Sequence, residues 1–156
     1  MHKDALAACA MEQERTLYRV AKTLLRSDAD CADVVQETLL KALNGAPFIR
    51  NEQYVKTWLT RILINTCKDL IRKNARTQTV ELSEFIPAPE NGEQRDLYEA
   101  LQALDDKLRL PLVLHYLEGF TVKEISHMLR VPEGTVKRRM WTARKELREL
   151  LAEEAI

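Results

Sequence analysis

Hydrophobic residues in this chain recur at helical rather than alternating spacing almost wherever they cluster. Leu17, Val20, Ala21 and Leu24 fall at intervals of three and four, the period of one helix face. Ser27 and Asp28 follow, residue types whose oxygens accept from the free N–H groups of a helix start. The next stripe is Cys31, Val34, Val35, Thr38, Leu39 and Ala42. It runs to Asn44-Gly45 and Pro47, where a glycine able to take left-handed torsions and a proline unable to continue the ladder predict a stop. A third stripe, Val55, Trp58, Leu59, Ile62, Leu63, Thr66 and Leu70, predicts a longer helix ending near Lys73, with Trp58 and Leu59 in the core.

From Asn74 to Gln94 the period is lost, and Pro87, Pro89 and Asn91-Gly92 among acids and polar residues predict a linker. Leu97, Leu101, Leu104 and Leu108 restart it. Pro111 is expected to open a short helix with Val113, Leu114 and Leu117 inward, closed by Glu118-Gly119. Thr121 and Glu124 have the spacing of a capping box, ahead of a short helix with Ile125, Met128 and Leu129 inward. After the turn from Arg130 to Gly134, Val136, Met140, Ala143, Leu147 and Leu150 or Leu151 line a last helix. The expected fold is all-α: two small helical domains, 1–76 and 95–156, joined by a flexible acidic linker at 77–94.

Composition narrows the function. Four glycines and five prolines are too few for a turn-rich sheet protein, and 46% hydrophobic residues exclude disorder throughout. No apolar run approaches the ~18 residues of a membrane span, and the N-terminus meets charge too early for a secretory signal. A cytoplasmic protein with no membrane insertion of its own is expected. Cys9, Cys31 and Cys67 are odd in number and widely spaced, which predicts reduced thiols. His2, His115 and His127 have no ligand-like spacing, and no glycine-rich phosphate loop or nucleophile with a base is present. No metal, no cofactor and no catalytic residues are expected, and the chain does not read as an enzyme.

Net charge is zero, but it is segregated. Lys56 to Arg76 holds six bases and one acid, Lys123 to Arg148 eight bases and three acids, and Glu81 to Asp106 between them eight acids and one base. Two basic helical stretches suggest two contacts with one polyanion, although solvated helix faces can give such runs. On the last helix Thr135, Lys137, Arg138, Trp141, Arg144, Lys145 and Arg148 are expected outward, preceded by a helix and a tight turn. That is the pattern of a helix-turn-helix whose second helix enters the major groove. On the third stripe's helix, Arg61, Lys68 and Arg72 can face phosphates, with Asn65 near the inward boundary. Asp33 and Glu37, four positions apart with Gln36 beside them, share a face opposite the packed stripe.

Three segments in this order resemble the extracytoplasmic-function (ECF) class of sigma factors in the bacterial sigma-70 family, over nearly the whole chain. DADCADVVQETLLKAL, from Asp28 to Leu43, is similar to the family's polymerase-binding helix, with Asp33, Gln36 and Glu37 matching. YVKTWLTRILINTCKDLIRK is similar to the segment that reads and melts the minus-ten element, with Trp58, Leu59, Arg61, Ile62 and Asn65 matching. FTVKEISHMLRVPEGTVKRRMWTARKEL resembles the minus-thirty-five helix-turn-helix, with Gly134 to Lys137, Arg139, Ala143 and Arg144 in register.

The resemblance implies region 2 at 1–76 and region 4 at 95–156. It implies core RNA polymerase and promoter DNA, double-stranded and melted, as partners, and an anti-sigma factor besides. Asp33, Gln36 and Glu37 would bind polymerase. Arg61, Asn65, Lys68 and Arg72 would bind minus-ten DNA, Asn65 helping to form a pocket for a flipped-out base that the loop from Ala46 to Gln53 shapes. Thr135, Lys137, Arg138, Arg139, Trp141, Arg144 and Lys145 would bind the minus-thirty-five element. The chain departs from the family pattern at Arg138, where a small serine is common, and at Thr142, where an arginine is common. Its first helix also looks short at the N-terminus, which implies a thinner contribution to the first domain. A stand-alone helix-turn-helix regulator would use Thr121 to Arg148 and leave the other two segments idle.

Overall fold

The computed structural model describes residues 3–45, 52–77 and 92–154. The pocket-shaping stretch 46–51, Pro47 included, and the linker residues Pro87, Pro89 and Asn91 lie outside the described residues, as does His2. Eight α-helices and no strand occur among the described residues, the all-α fold that the spacing predicts. The chain divides into two compact units, Met1–Phe85 and Ile86–Ile156.

The first unit holds α1 (Lys3–Glu12), α2 (Glu14–Leu24), α3 (Asp28–Asn44) and α4 (Glu52–Thr77). The expected thin N-terminus is corrected by α1, which buries Leu6 and Ala10, one turn apart, and packs on α3 and α4. The N–H of Gln13 still bonds to Cys9 and Ala10, so α1 runs almost directly into α2. Ser27 caps α3, its Oγ accepting from the Asp30 N–H at 3.2 Å. Cys31, Val34, Val35, Thr38 and Ala42 are buried as their spacing predicts, while Leu39 is half-buried. Gly45 ends α3 without the left-handed torsions expected of it, at φ −121°. Its missing Cβ matters for another reason, because one placed there would lie 3.2 Å from the Lys41 carbonyl.

Central to this unit is α4, packed by α1, α2 and α3, and longer than its stripe predicts. With neighbours on three sides it buries an arc rather than a stripe: Val55, Leu59, Leu63, Ile64 and Cys67, together with Thr57, Thr60 and Thr66. The threonines fit because a hydroxyl can be satisfied locally: Thr60 donates to the Lys56 carbonyl and Thr66 to that of Ile62, both at 2.8 Å. Trp58, Ile62 and Leu70, expected inward, are half-buried at the edges of the arc.

In the second unit are α5 (Gly92–Ala103), α6 (Asp106–Tyr116), α7 (Val122–Leu129) and α8 (Glu133–Glu154), with α8 packed against the other three. Pro111 does not open a helix; it lies inside α6, which starts at Asp106. The six residues Arg109 to Leu114 are all buried, and at ~1.5 to 3 kcal/mol per buried leucine their packing outweighs the ~3 kcal/mol cost of an internal proline. Leu117, expected inward, is 68% exposed beyond the end of α6. Gly119, at φ +76°, turns the chain toward α7.

Arg109 holds the junction between α5 and α6. Only 7% exposed, its guanidinium donates to the Leu104 carbonyl at 2.8 Å and the Gln102 carbonyl at 3.3 Å, and pairs with Asp106. It thereby satisfies carbonyls at the end of one helix while neutralising a carboxylate in the first turn of the next. The capping box forms as predicted, Thr121 and Glu124 exchanging bonds of 2.9 and 3.1 Å. Between α7 and α8 the C-cap residue Arg130 is left-handed at φ 57°.

Candidate nucleic-acid and partner interfaces

Three exposed faces carry the residues singled out by the sequence. On α3, Asp33, Gln36 and Glu37 are all exposed and share one side, opposite buried Val34, Val35 and Thr38. Glu37 pairs with Lys41 at 3.2 Å, and the same Lys41 ammonium donates to the Thr66 hydroxyl of α4 at 3.1 Å. One side chain thus joins this acidic face to the helix that carries the first basic one. Leu40 lies on the same face and is 62% exposed. The sequence reading passed over it, because a single apolar residue off the buried stripe is ordinary on a helix surface.

Asn65, Lys68 and Arg72 project outward from α4, and Arg61 is half-buried. Asn65 is fully on the exposed side rather than near the inward boundary, because the burial arc centres on Leu63, Ile64 and Cys67. Its amide makes no hydrogen bond among the described residues. Arg72 pairs with Asp69 at 2.8 Å. Exposed pairs of this kind are worth ~0 to 1 kcal/mol, so a phosphate can replace the carboxylate at little cost.

In α8 the packing against three helices narrows the outward face. Lys137, Arg138, Trp141, Lys145 and Arg148 are exposed, Trp141 to 56%. Thr135, Arg139 and Arg144, all named from the sequence, are half-buried at its margins. Lys145 sits 5.6 Å from the Trp141 ring centroid, one turn away, and so shields one side of the indole. Arg144 turns instead to Tyr116, donating to its hydroxyl at 2.8 Å with the guanidinium carbon 5.9 Å from the ring centre. The sequence reading missed Tyr116; an aromatic left over at the end of the α6 pattern was the available signal. Thr142 donates to the Arg138 carbonyl at 3.0 Å, a bond along its own helix.

Among the described residues no group of three or more His, Cys, Asp or Glu could hold a metal ion, and no helix is long and apolar enough to cross a membrane. Cys31 and Cys67 are buried thiols, pushed up to about 11 and about 12 by burial. Where α3 begins, Asp28 accepts from Lys22 at 2.6 Å and from the Tyr18 hydroxyl at 3.0 Å. Those bonds, from Lys22 first, hold its carboxyl below the usual carboxylate range.

The arrangement is one acidic-polar face and one basic face on the first unit, and a second basic face on a helix-turn-helix in the other. The family profile "Sigma-70 region 2" matches residues 10–77, and "Sigma-70, region 4" matches 94–147. The chain is 30% identical over 156 residues to RNA polymerase sigma factor SigV of Bacillus subtilis, covering 97% of this chain and 94% of that protein. With the ECF RNA polymerase sigma factor SigM of Mycobacterium tuberculosis it shares 33% identity over 141 residues, 88% of this chain and 72% of the relative. Among solved structures it resembles the sigma factor RpoE of Bartonella quintana, crystallised in complex with the anti-sigma factor NepR. The TM-score is 0.76 at 27% identity, covering 91% of this chain and 93% of that one.

Proposed function

Since the chain belongs to the ECF class of the sigma-70 family, it is a promoter-specificity subunit of RNA polymerase, and we propose how its three faces divide that work. The α3 face, Asp33, Gln36 and Glu37 with Leu40 beside them, docks the core enzyme. Polar groups set the register there, and the exposed leucine supplies apolar area. Arg61, Lys68 and Arg72 on α4 hold the phosphates of the minus-ten element, and Asn65 takes the edge of a base that has left the stack. On α8, Lys137, Arg138 and Trp141 reach the minus-thirty-five bases, Trp141 through a thymine methyl or a sugar, and Lys145 takes phosphate. Thr135, Arg139 and Arg144, at the margins of that face, support its edges. Residues 1–76 and 95–156 carry the two halves of the task, with 77–94 as the connector.

Transcription chemistry stays with the polymerase: the chain itself catalyses nothing, needs no metal or cofactor, and works in the cytoplasm where core enzyme and promoters are. An anti-sigma factor is the partner that would withhold it from polymerase. The observation that carries this reading is the separation of the faces: Asp33, Gln36 and Glu37, then Asn65, Lys68 and Arg72, then Lys137, Arg138, Trp141 and Lys145 are exposed on helices whose other side is core, with Arg61, Thr135, Arg139 and Arg144 half-buried at the margins. Run-off transcription with core polymerase over a pool of promoter fragments tests it, because binding, reading and opening must all succeed. A stand-alone regulator would bind DNA and yield no transcript.

A further inference from the structure

Tyr116 ends α6 with 57% of its surface exposed, yet contacts on two sides hold its ring. The His115 ring meets it edge-on, with centroids 4.9 Å apart, and His115 is itself fixed by a 2.8 Å bond from its Nδ1 to the Phe120 carbonyl. From α8, 28 positions away in the chain, the Nη1 of Arg144 donates to the phenol oxygen at 2.8 Å. At 3.6 residues per turn, positions 137, 141, 144 and 148 return to one sector of roughly 60°. Lys137, Trp141 and Arg148 are exposed there, and Arg144 is half-buried. The pair therefore stands beside the side chains that reach the minus-thirty-five bases, and one member of it comes from α6, outside the helix-turn-helix.

We propose that Tyr116 and Arg144 together hold one phosphate of the minus-thirty-five duplex. The proposal rests on the reading of α8 as the minus-thirty-five helix. A guanidinium has donors only, so its bond to Tyr116 uses an oxygen lone pair and does not engage the phenol proton. A hydroxyl that accepts from a cation also donates more strongly. The same bond takes one of the five guanidinium N–H groups and none of the charge. Jointly the two side chains offer a phenol donor, further N–H donors and one positive charge. A phosphodiester matches that set, with two non-bridging oxygens that share a negative charge and accept from both groups. The contact is blind to sequence, as phosphate contacts are. It sets the register in which Lys137, Arg138 and Trp141 meet the bases.

The test uses holoenzyme assembled with the full-length chain. Its probe is a promoter duplex from the run-off selection in which each phosphate around the minus-thirty-five element is replaced, one at a time, by an uncharged methylphosphonate. At one phosphate the replacement costs wild type more than it costs either Tyr116→Phe or Arg144→Ala, while the other positions keep their effect. On unmodified DNA, Tyr116→Phe weakens binding roughly 2- to 10-fold for every minus-thirty-five sequence, the equivalent of ~0.5 to 1.5 kcal/mol for one hydrogen bond. It keeps the salt slope, whereas Arg144→Ala lowers the slope by about one unit, and core-polymerase affinity is unchanged in both. A phosphate profile identical to wild type in both variants overturns the proposal even where affinity falls, because a purely structural tie singles out no phosphate. Wild-type DNA binding by Tyr116→Phe overturns it as well. Loss of core affinity does the same, by setting the pair against an acidic surface of polymerase. Lys145→Ala, measured alongside, separates the levels: if it alone erases the effect at a phosphate, α8 still lies on the minus-thirty-five element and only Tyr116 and Arg144 are misassigned. If none of the three variants does so, the assignment of α8 falls with the proposal.

Discussion

Lys41 on α3 reaches Thr66 on α4 at 3.1 Å, and its ammonium is also 3.2 Å from the Glu37 carboxylate. Lys41 is itself exposed, so this link positions Glu37 more than it holds the helices together. Lys41→Met is expected to lower stability by no more than ~1 kcal/mol. Thermal unfolding followed by circular dichroism checks it, and a loss of several kcal/mol would make Lys41 a structural tie.

Gln36→Ala with Glu37→Ala is expected to abolish core-polymerase binding with the melting temperature little changed, since both residues are exposed. Pull-down affinity and a melting curve on the same preparation decide. Unchanged affinity would remove α3 from the polymerase interface.

Replacing Asn65 by Ala removes a donor and an acceptor from an exposed position and leaves the core intact. Open-complex formation should fall while binding to core stays as it was. Permanganate reactivity of promoter thymines reports the opening, and equal reactivity with wild type would count against the assignment.

For α8, Arg138→Ala should relax preference within the minus-thirty-five element by ~1 to 3 kcal/mol, the worth of a base-reading pair. Lys145→Ala should weaken all sequences alike and reduce the salt slope by about one unit. Holoenzyme on promoter libraries at two salt concentrations separates them. A uniform loss with Arg138→Ala would make it a phosphate clamp.

Burial raises the thiols of Cys31 and Cys67 to about 11 and about 12, whereas Cys9 is half-exposed. At pH 8 a thiol reagent should label Cys9 quickly and the other two only on unfolding. Because both folded-state values lie above the ordinary thiol value of 9.0, their stabilising contribution is complete below pH 9 and is lost as pH rises through 11 to 12. Mass spectrometry after brief labelling, and a melting series above pH 9, check the two statements.

The all-α fold and most of the buried stripes were legible because i, i+3, i+4 spacing is a direct image of one-sided packing. Leu17, Val20, Cys31, Val34, Leu59, Leu63, Val136 and Ala143 are core, as their spacing predicts. Legibility failed where a helix has neighbours on several sides. On α4, Thr66 is on the expected stripe, but Thr57 and Thr60 look polar in sequence; they widen the buried arc, the Thr60 hydroxyl bonding its own helix, and the arc leaves Asn65 outward and Trp58 at the margin. On α8 the same crowding drew Thr135 and Arg144 back from the expected surface and left Arg139, which the family resemblance alone singles out, half-buried. Pro111 misled because packing on both sides of α6 outweighs a local rule. Tyr116 and Leu40 were passed over because a search for buried periodicity discards apolar residues that fall outside it. The polar trio of α3 stood out only through the family resemblance; its exposure is common to many helices.

Arg130 joins a left-handed backbone, at φ 57°, to a positive charge in the turn before α8. For a residue with a Cβ that conformation costs ~1 to 2 kcal/mol, which glycine would not incur. Glycine at this turn would shed that conformational cost and, with it, one of the eight bases between Lys123 and Arg148. Relief of backbone strain and the positive charge of the segment are thus set against each other at a single side chain.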